Sequence, residues 1–102
     1  MENKLTIDKK RISKLCKQHH VIRLYLFGSF AKNTATAQSD IDFLVTFGNV
    51  DLYNYFDNYL NFKEKLESIY NRKVDLVEEQ TIKNPFLLQS INQSKQLIWT
   101  QA

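Results

Sequence analysis

Residues 25–47, YLFGSFAKNTATAQSDIDFLVTF, decide how this chain is read. A hydrophobic strand runs into Gly28-Ser29, a polar turn follows, and a second strand opens with Asp40 and Asp42. Residues two apart on a strand point to the same face. Both carboxylates are therefore expected on one patch, opposite Ile41 and Phe43. Two convergent carboxylates at a strand start suit a hard cation such as Mg²⁺. The Gly-Ser turn beside them offers backbone N–H groups to a phosphate. The pattern points to metal-assisted nucleotide chemistry.

Outward from this stretch, VIRLYLF over 21–27 is rich in strand formers and Gly28 ends it. Residues 29–35 can form a short helix, and residues 40–47 form the second strand, closed by Gly48-Asn49. Upstream, Ile12, Leu15, Cys16 and His19 fall at i, i+3, i+4 and i+7, which predicts a helix over 8–20 capped by Thr6 or Asp8. Downstream, Leu52, Tyr55, Phe56, Tyr59, Phe62, Leu66, Ile69 and Tyr70 make a broad apolar stripe on a helix over 51–70. That stripe is expected to be mostly core, with part of it free as a partner interface. Asn71 suits the left-handed position past the helix end. Residues 73–77 predict a third strand with Asp75 between Val74 and Leu76. Pro85 opens a helix to about residue 93, and residues 96–100 a last strand. The expected fold is α/β (α+β), a mixed sheet of about four strands with helices packed on one face.

A chain of 102 residues is expected to form a single domain over 1–102. It has no room for a separate recognition domain, so a partner would supply one. Fourteen Lys+Arg against eleven Asp+Glu leave a net charge of +3, mildly basic without a dense basic run, which argues against direct nucleic-acid binding. Cys16 is the only cysteine, which excludes an intrachain disulfide and a Cys-based metal site. The first residues, MENKLTIDKKR, hold no apolar leader, and no stretch approaches a membrane span. The expected location is the cytoplasm. With two Gly and one Pro, the turns must use Asn, Asp and Ser. His19 and His20 are not a metal pair, because adjacent helical residues diverge by about 100°. His19 is expected to pack and His20 to be exposed. Arg23 shares a strand face with Tyr25, from which it could touch a phosphate, and is read first as a surface residue.

Asp42 and Asp75 belong to different strands. If those strands are neighbours, Asp75 joins Asp40 and Asp42 on one face. Three carboxylates without basic partners repel one another, which is tolerable when a cation offsets the repulsion. Two Mg²⁺ ions about 3.5–4 Å apart would clamp the attacking and leaving oxygens of an in-line phosphoryl displacement. Asp40 and Asp42 would hold the nucleotide-bound metal, and Asp75 would complete the second site or act as base. Gly28 would let the backbone approach the triphosphate. Ser29 would donate its N–H and hydroxyl to a phosphate oxygen.

Gly28-Ser29, ten residues, then Asp40-Ile41-Asp42 resembles the signature of the DNA polymerase β-like nucleotidyltransferase superfamily. Within it, GSFAKN over 28–33, SDIDFLV over 39–45 and RKVDLV over 72–77 resemble the minimal nucleotidyltransferases. The resemblance spans roughly residues 20–100. It implies a two-metal Mg²⁺ site on Asp40, Asp42 and Asp75, phosphate binding at Gly28 and Ser29, and ATP or another NTP as co-substrate. It also implies a HEPN-domain toxin as partner. The minimal nucleotidyltransferase acts as antitoxin by moving AMP onto a tyrosine of that toxin. One departure stands out: Lys32-Asn33 replaces the Arg-Gly common after GSFA. Lys32 keeps the positive charge near the nucleotide but loses the planar fork, and Asn33 can take the left-handed conformation of Gly at some strain. This departure motivates a second reading, a catalytically weak binding module that neutralises its partner by docking. A third is a nucleotidyltransferase acting on a small molecule or an RNA end. Association with copies of itself or with a partner is left open.

Overall fold

The first helix, α1 (Lys9–Gln18), starts where the Asp8 side chain accepts the Arg11 N–H at 3.2 Å, satisfying one of the orphan donors of its first turn. The computed structural model describes residues 5–101. Ile12, Leu15 and Cys16 turn α1 onto the core. His20, at φ 60°, reverses the chain into β1 (Val21–Phe27). Then follow α2 (Gly28–Ala31), β2 (Ile41–Phe47) and α3 (Leu52–Tyr70). Asp51 caps α3 by accepting the Asn54 N–H at 2.9 Å, and Asn71 ends it in the left-handed region, φ 49° and ψ 45°. β3 (Val74–Glu78) runs into a short 3₁₀ turn, Glu79–Thr81. α4 (Pro85–Ser94) is capped by Asn84, which accepts from Phe86 N at 2.9 Å and Leu87 N at 3.2 Å. β4 (Gln96–Thr100) closes the order.

The four strands form one mixed sheet in the order β3-β2-β1-β4. β1 pairs antiparallel with β2 and β4, while β2 and β3 are parallel. Parallel neighbours need a long crossover, and α3 supplies it. One face of the sheet carries Ile41, Phe43, Val45 and Phe47, beside Leu24, Leu26, Val74 and Leu76, all buried. Phe62 and Leu66 of α3 join the same core, with Ile12, Leu15 and Cys16 of α1 and Phe30 of α2. Phe62 packs edge-on to Phe47 at 5.9 Å and against the His19 ring at 5.5 Å. Burying such a ring is worth about 1.5–3 kcal/mol. The opposite face, by alternation, carries Asp42, Leu44 and Thr46, with Arg23, Tyr25 and Phe27 on one side and Asp75 and Val77 on the other.

Two expectations shift. β2 begins at Ile41, so Asp40 stands just outside the strand. α2 stops at Ala31 rather than residue 35, because Asn33 turns left-handed at φ 60°. The α3 stripe is mostly core with an exposed part, as expected: Leu52 is 92% exposed and Phe56 67% exposed. Tyr55 and Tyr59, not Phe56, turn inward there, meeting Phe47 at 5.8 and 6.5 Å.

Candidate active site

Gly28 holds φ +71°, and a Cβ built on it would stand 2.1 Å from Asp42 Oδ2. Glycine is thus required twice, once by the backbone conformation and once by the carboxylate against it. Phe27 is the β1 partner of Asp42, which is why the turn and the carboxylate meet. Across the sheet, Asp42 pairs in register with Asp75, and parallel register puts both side chains on one face. The neighbourhood of the strands, on which the role of Asp75 depended, is therefore realised.

Asp42 is half-buried and its carboxyl is pushed up from 3.8 to about 6, first by desolvation, then by the charges of Asp75 and Asp40. Asp75 and Asp40 are exposed. Among the described residues, none of the three accepts an ion pair or a side-chain hydrogen bond. The cluster is acidic and uncompensated. Nor is any group of three His, Cys, Asp or Glu side chains among the described residues gathered closely enough to hold an ion as it stands. Asp40, outside the strand, is the member that sheet pairing does not hold.

Ser29 follows Gly28, and its carbonyl accepts the Thr34 N–H at 2.9 Å, closing the turn after α2. Lys32, whose N–H reaches Gly28 O at 3.1 Å, is exposed at the end of α2. Tyr59 donates its hydroxyl to Leu76 O beside Asp75. Burial and then the Asp75 charge raise its phenol. The concavities along the α1 lysines and beside Gly48 contain none of these groups.

Two features were not visible in the sequence. Arg72 Nη1 donates to Ser39 O at 2.8 Å, Ala37 O at 3.1 Å and Thr36 O at 3.3 Å, holding the loop before Asp40. Only its place in RKVDLV hinted at it. Glu79 gathers Arg23 at 3.3 Å, Thr46 at 3.1 Å and Lys95 at 3.6 Å. Burial alone would raise the Glu79 carboxyl, but hydrogen bonds from Arg23 and Thr46 and the charges of Lys95 and Arg23 hold it below its ordinary value. Arg23 is thereby committed to a structural network. His19 packs as expected, its Nδ1 at 2.8 Å from Leu15 O. Burial pushes the Cys16 thiol up to about 12, which leaves it inert.

An acidic sheet face beside a Gly-Ser turn is compatible with a nucleotidyltransferase, and the family match establishes that class. The chain belongs to the polymerase beta nucleotidyltransferase family, whose model matches residues 10–102. Three proteins of Methanocaldococcus jannaschii, each named "putative protein adenylyltransferase", are similar. The first two are 36% and 34% identical over 85 residues, covering 82% of this chain and 84% of theirs. The third is 30% identical over 94 residues, covering 85% and 86%. Among solved structures, one assigned as a minimal nucleotidyltransferase superposes with a TM-score of 0.71 at 27% identity, covering 86% of both chains. A chain of a toxin–antitoxin crystallised with AMP-PNP superposes with a TM-score of 0.68 at 26% identity, covering 93% of this chain and 75% of that one. The described residues contain no helix long and apolar enough to cross a membrane.

Proposed function

We propose that this chain transfers AMP from ATP to a tyrosine hydroxyl of a HEPN-domain partner, in an Mg²⁺-dependent reaction, and so acts as an antitoxin. The observation that carries this reading is the in-register pair Asp42–Asp75, with Asp42 pressed against Gly28 and neither carboxylate ion-paired to a basic side chain among the described residues. An all-oxygen, uncompensated donor set fits a hard divalent ion. Asp42 and Asp75 would hold it, and Asp40, exposed just before β2, would complete the set. When bound, Mg²⁺ would supply charge neutralisation and alignment of the phosphoryl oxygens. Gly28 and Ser29 present backbone N–H groups to the triphosphate, and Lys32 supplies a positive charge at the same turn. The tyrosine oxygen attacks the α-phosphorus, forming a phosphodiester. Pyrophosphate leaves with the electron pair of the broken P–O bond, and the phenol proton passes to Asp75. The relatives named as protein adenylyltransferases and the toxin–antitoxin neighbour support the choice of donor and acceptor. The same reading places the chain in the cytoplasm and takes residues 1–102 as one domain, the latter supported by a core cluster shared by α1, β1, α2, β2, α3 and β3.

A second reading, neutralisation by docking alone, is favoured by the exposed Leu52, Tyr53 and Phe56 at the start of α3. The test is incubation with ATP labelled at the α-phosphate, against protein, RNA and small-molecule acceptors, with the Asp40→Asn/Asp42→Asn/Asp75→Asn triple variant in parallel. Label on the HEPN partner, lost in the triple variant together with neutralisation, is the expected result. Full neutralisation by the triple variant would overturn the catalytic reading in favour of docking.

A further inference from the structure

Asp40 is the least constrained of the three carboxylates, since it is exposed and lies one residue before β2. The Ile41 N–H on Lys73 O pins its C-terminal side, and its N-terminal side depends on the loop that delivers it. That loop has an internal turn: Ser39 N–H bonds Thr36 O at 3.1 Å, and the Ser39 hydroxyl accepts the Thr36 N–H at 2.8 Å. Such a turn sets its own shape but not its place on the molecule.

We propose that Arg72 is the positioning residue of the carboxylate site, its guanidinium clasping the 36–39 turn so that Asp40 is delivered beside Asp42 and Asp75. This inference rests on the reading of those carboxylates as a metal site. Three carbonyl oxygens, of Thr36, Ala37 and Ser39, converge on Arg72 Nη1. Nη1 carries two hydrogens, so the shorter bonds to Ser39 and Ala37 are direct and Thr36 shares. Converging carbonyls repel unless a cation stands between them, and a guanidinium meets that need with fixed geometry. The same guanidinium lies over the Phe30 ring at 5.1 Å, and Phe30 sits two residues after Gly28 in α2. One side chain thus touches the approach to Asp40 and the helix that follows the Gly-Ser turn.

The base of the clasp is rigid. Asn71 is left-handed and the Arg72 N–H closes back on Glu67 O at 3.3 Å. Glu67 Oε2 accepts the Val74 N–H at 3.0 Å, and Lys73 O accepts the Ile41 N–H at 2.9 Å. The turn that carries Arg72 leads three residues later to Asp75. Groups that orient ligands in this way typically cost about 10–100-fold in metal affinity when removed.

The test uses the full chain as wild type, Arg72→Lys and Arg72→Ala, with Mn²⁺ as the probe. Mn²⁺ affinity is read by the free-ion resonance signal, and loop order by amide exchange at Thr36 and Ser39. Arg72→Lys keeps the charge but loses the fork. It is expected to weaken Mn²⁺ binding by about tenfold and to speed exchange at Thr36 and Ser39, while the amides of 43–45 keep their protection. Should Arg72→Ala fail to fold, Arg72→Lys carries the test. A merely structural role would lower Tm without moving the Mn²⁺ midpoint. Unchanged Mn²⁺ affinity in folded variants, against clear binding by the wild type, overturns the role of Arg72 and leaves the metal site standing. No Mn²⁺ binding by the wild type overturns both.

Discussion

Gly28 serves as hinge and clearance at once. Its φ of +71° costs an L residue about 1–2 kcal/mol, and the Asp42 carboxylate 2.1 Å from a virtual Cβ must move besides. Gly28→Ala is therefore expected to lower stability by at least that amount and to lose most nucleotidyl transfer, measured by denaturant unfolding and by product formation. Asp42 makes a second prediction, with a definite sign. Its carboxyl is raised from 3.8 to about 6, chiefly by burial, so the folded chain keeps a proton that the unfolded chain releases. The stability that this group contributes is full at low pH and is lost as pH rises from about 4 through about 6. In thermal melts without metal, the wild type should fall relative to Asp42→Asn across that window, and Mg²⁺ should restore the wild type more than the variant. A gap between the two that stays constant with pH would contradict this account of the site. Gly28, Asp42 and Asp75 were legible in the sequence because turn chemistry and strand alternation act locally. Arg72 was not, because what defines it is a set of carbonyls more than thirty residues away in the chain.

At the scale of the element, local signals served well where they were strong. β1 and β4 run over the residues expected, Asp8 caps α1, and Asn71 ends α3 in the left-handed region. His20 also turns left-handed, although histidine carries a weaker turn signal than the Asn, Asp and Ser expected there. Along α3 the stripe divides as expected into a core part, Tyr55, Tyr59, Phe62, Leu66, Ile69 and Tyr70, and an exposed part, Leu52 and Phe56. Helical periodicity tells which face is apolar, not whether anything lies under it. Further along α3, the buried Tyr70 hydroxyl has no hydrogen-bond partner among the described residues. An unsatisfied buried hydroxyl costs about 1–3 kcal/mol. Tyr70→Phe should therefore stabilise the chain by about 1 kcal/mol, read as a higher denaturant midpoint with an unchanged slope, and a loss of stability would reveal a bond to that oxygen.

At the scale of the molecule, the sheet order does what no single element can. Asp42 and Asp75 are separated by the whole of α3, and only the parallel pairing of β2 with β3 sets them side by side. The sequence supplied the strands and the long crossover helix but not which strands would be neighbours, since pairing is settled by packing against the shared core. The exposed start of α3 belongs to this scale too. Phe56→Ser should leave Tm nearly unchanged, because the ring is largely in water already, and should weaken a HEPN complex if this surface is the docking face. Calorimetric titration reads both partners' affinity directly, and equal affinity would place the interface elsewhere. The central claim remains that the acidic face transfers AMP to a protein. Its most direct test is the intact mass of the HEPN partner after incubation with this chain, ATP and Mg²⁺, run with wild type and with Asp42→Asn. The account predicts a partner heavier by one or more AMP units with the wild type and unmodified with the folded variant. A partner of unaltered mass in a stable wild-type complex would contradict it.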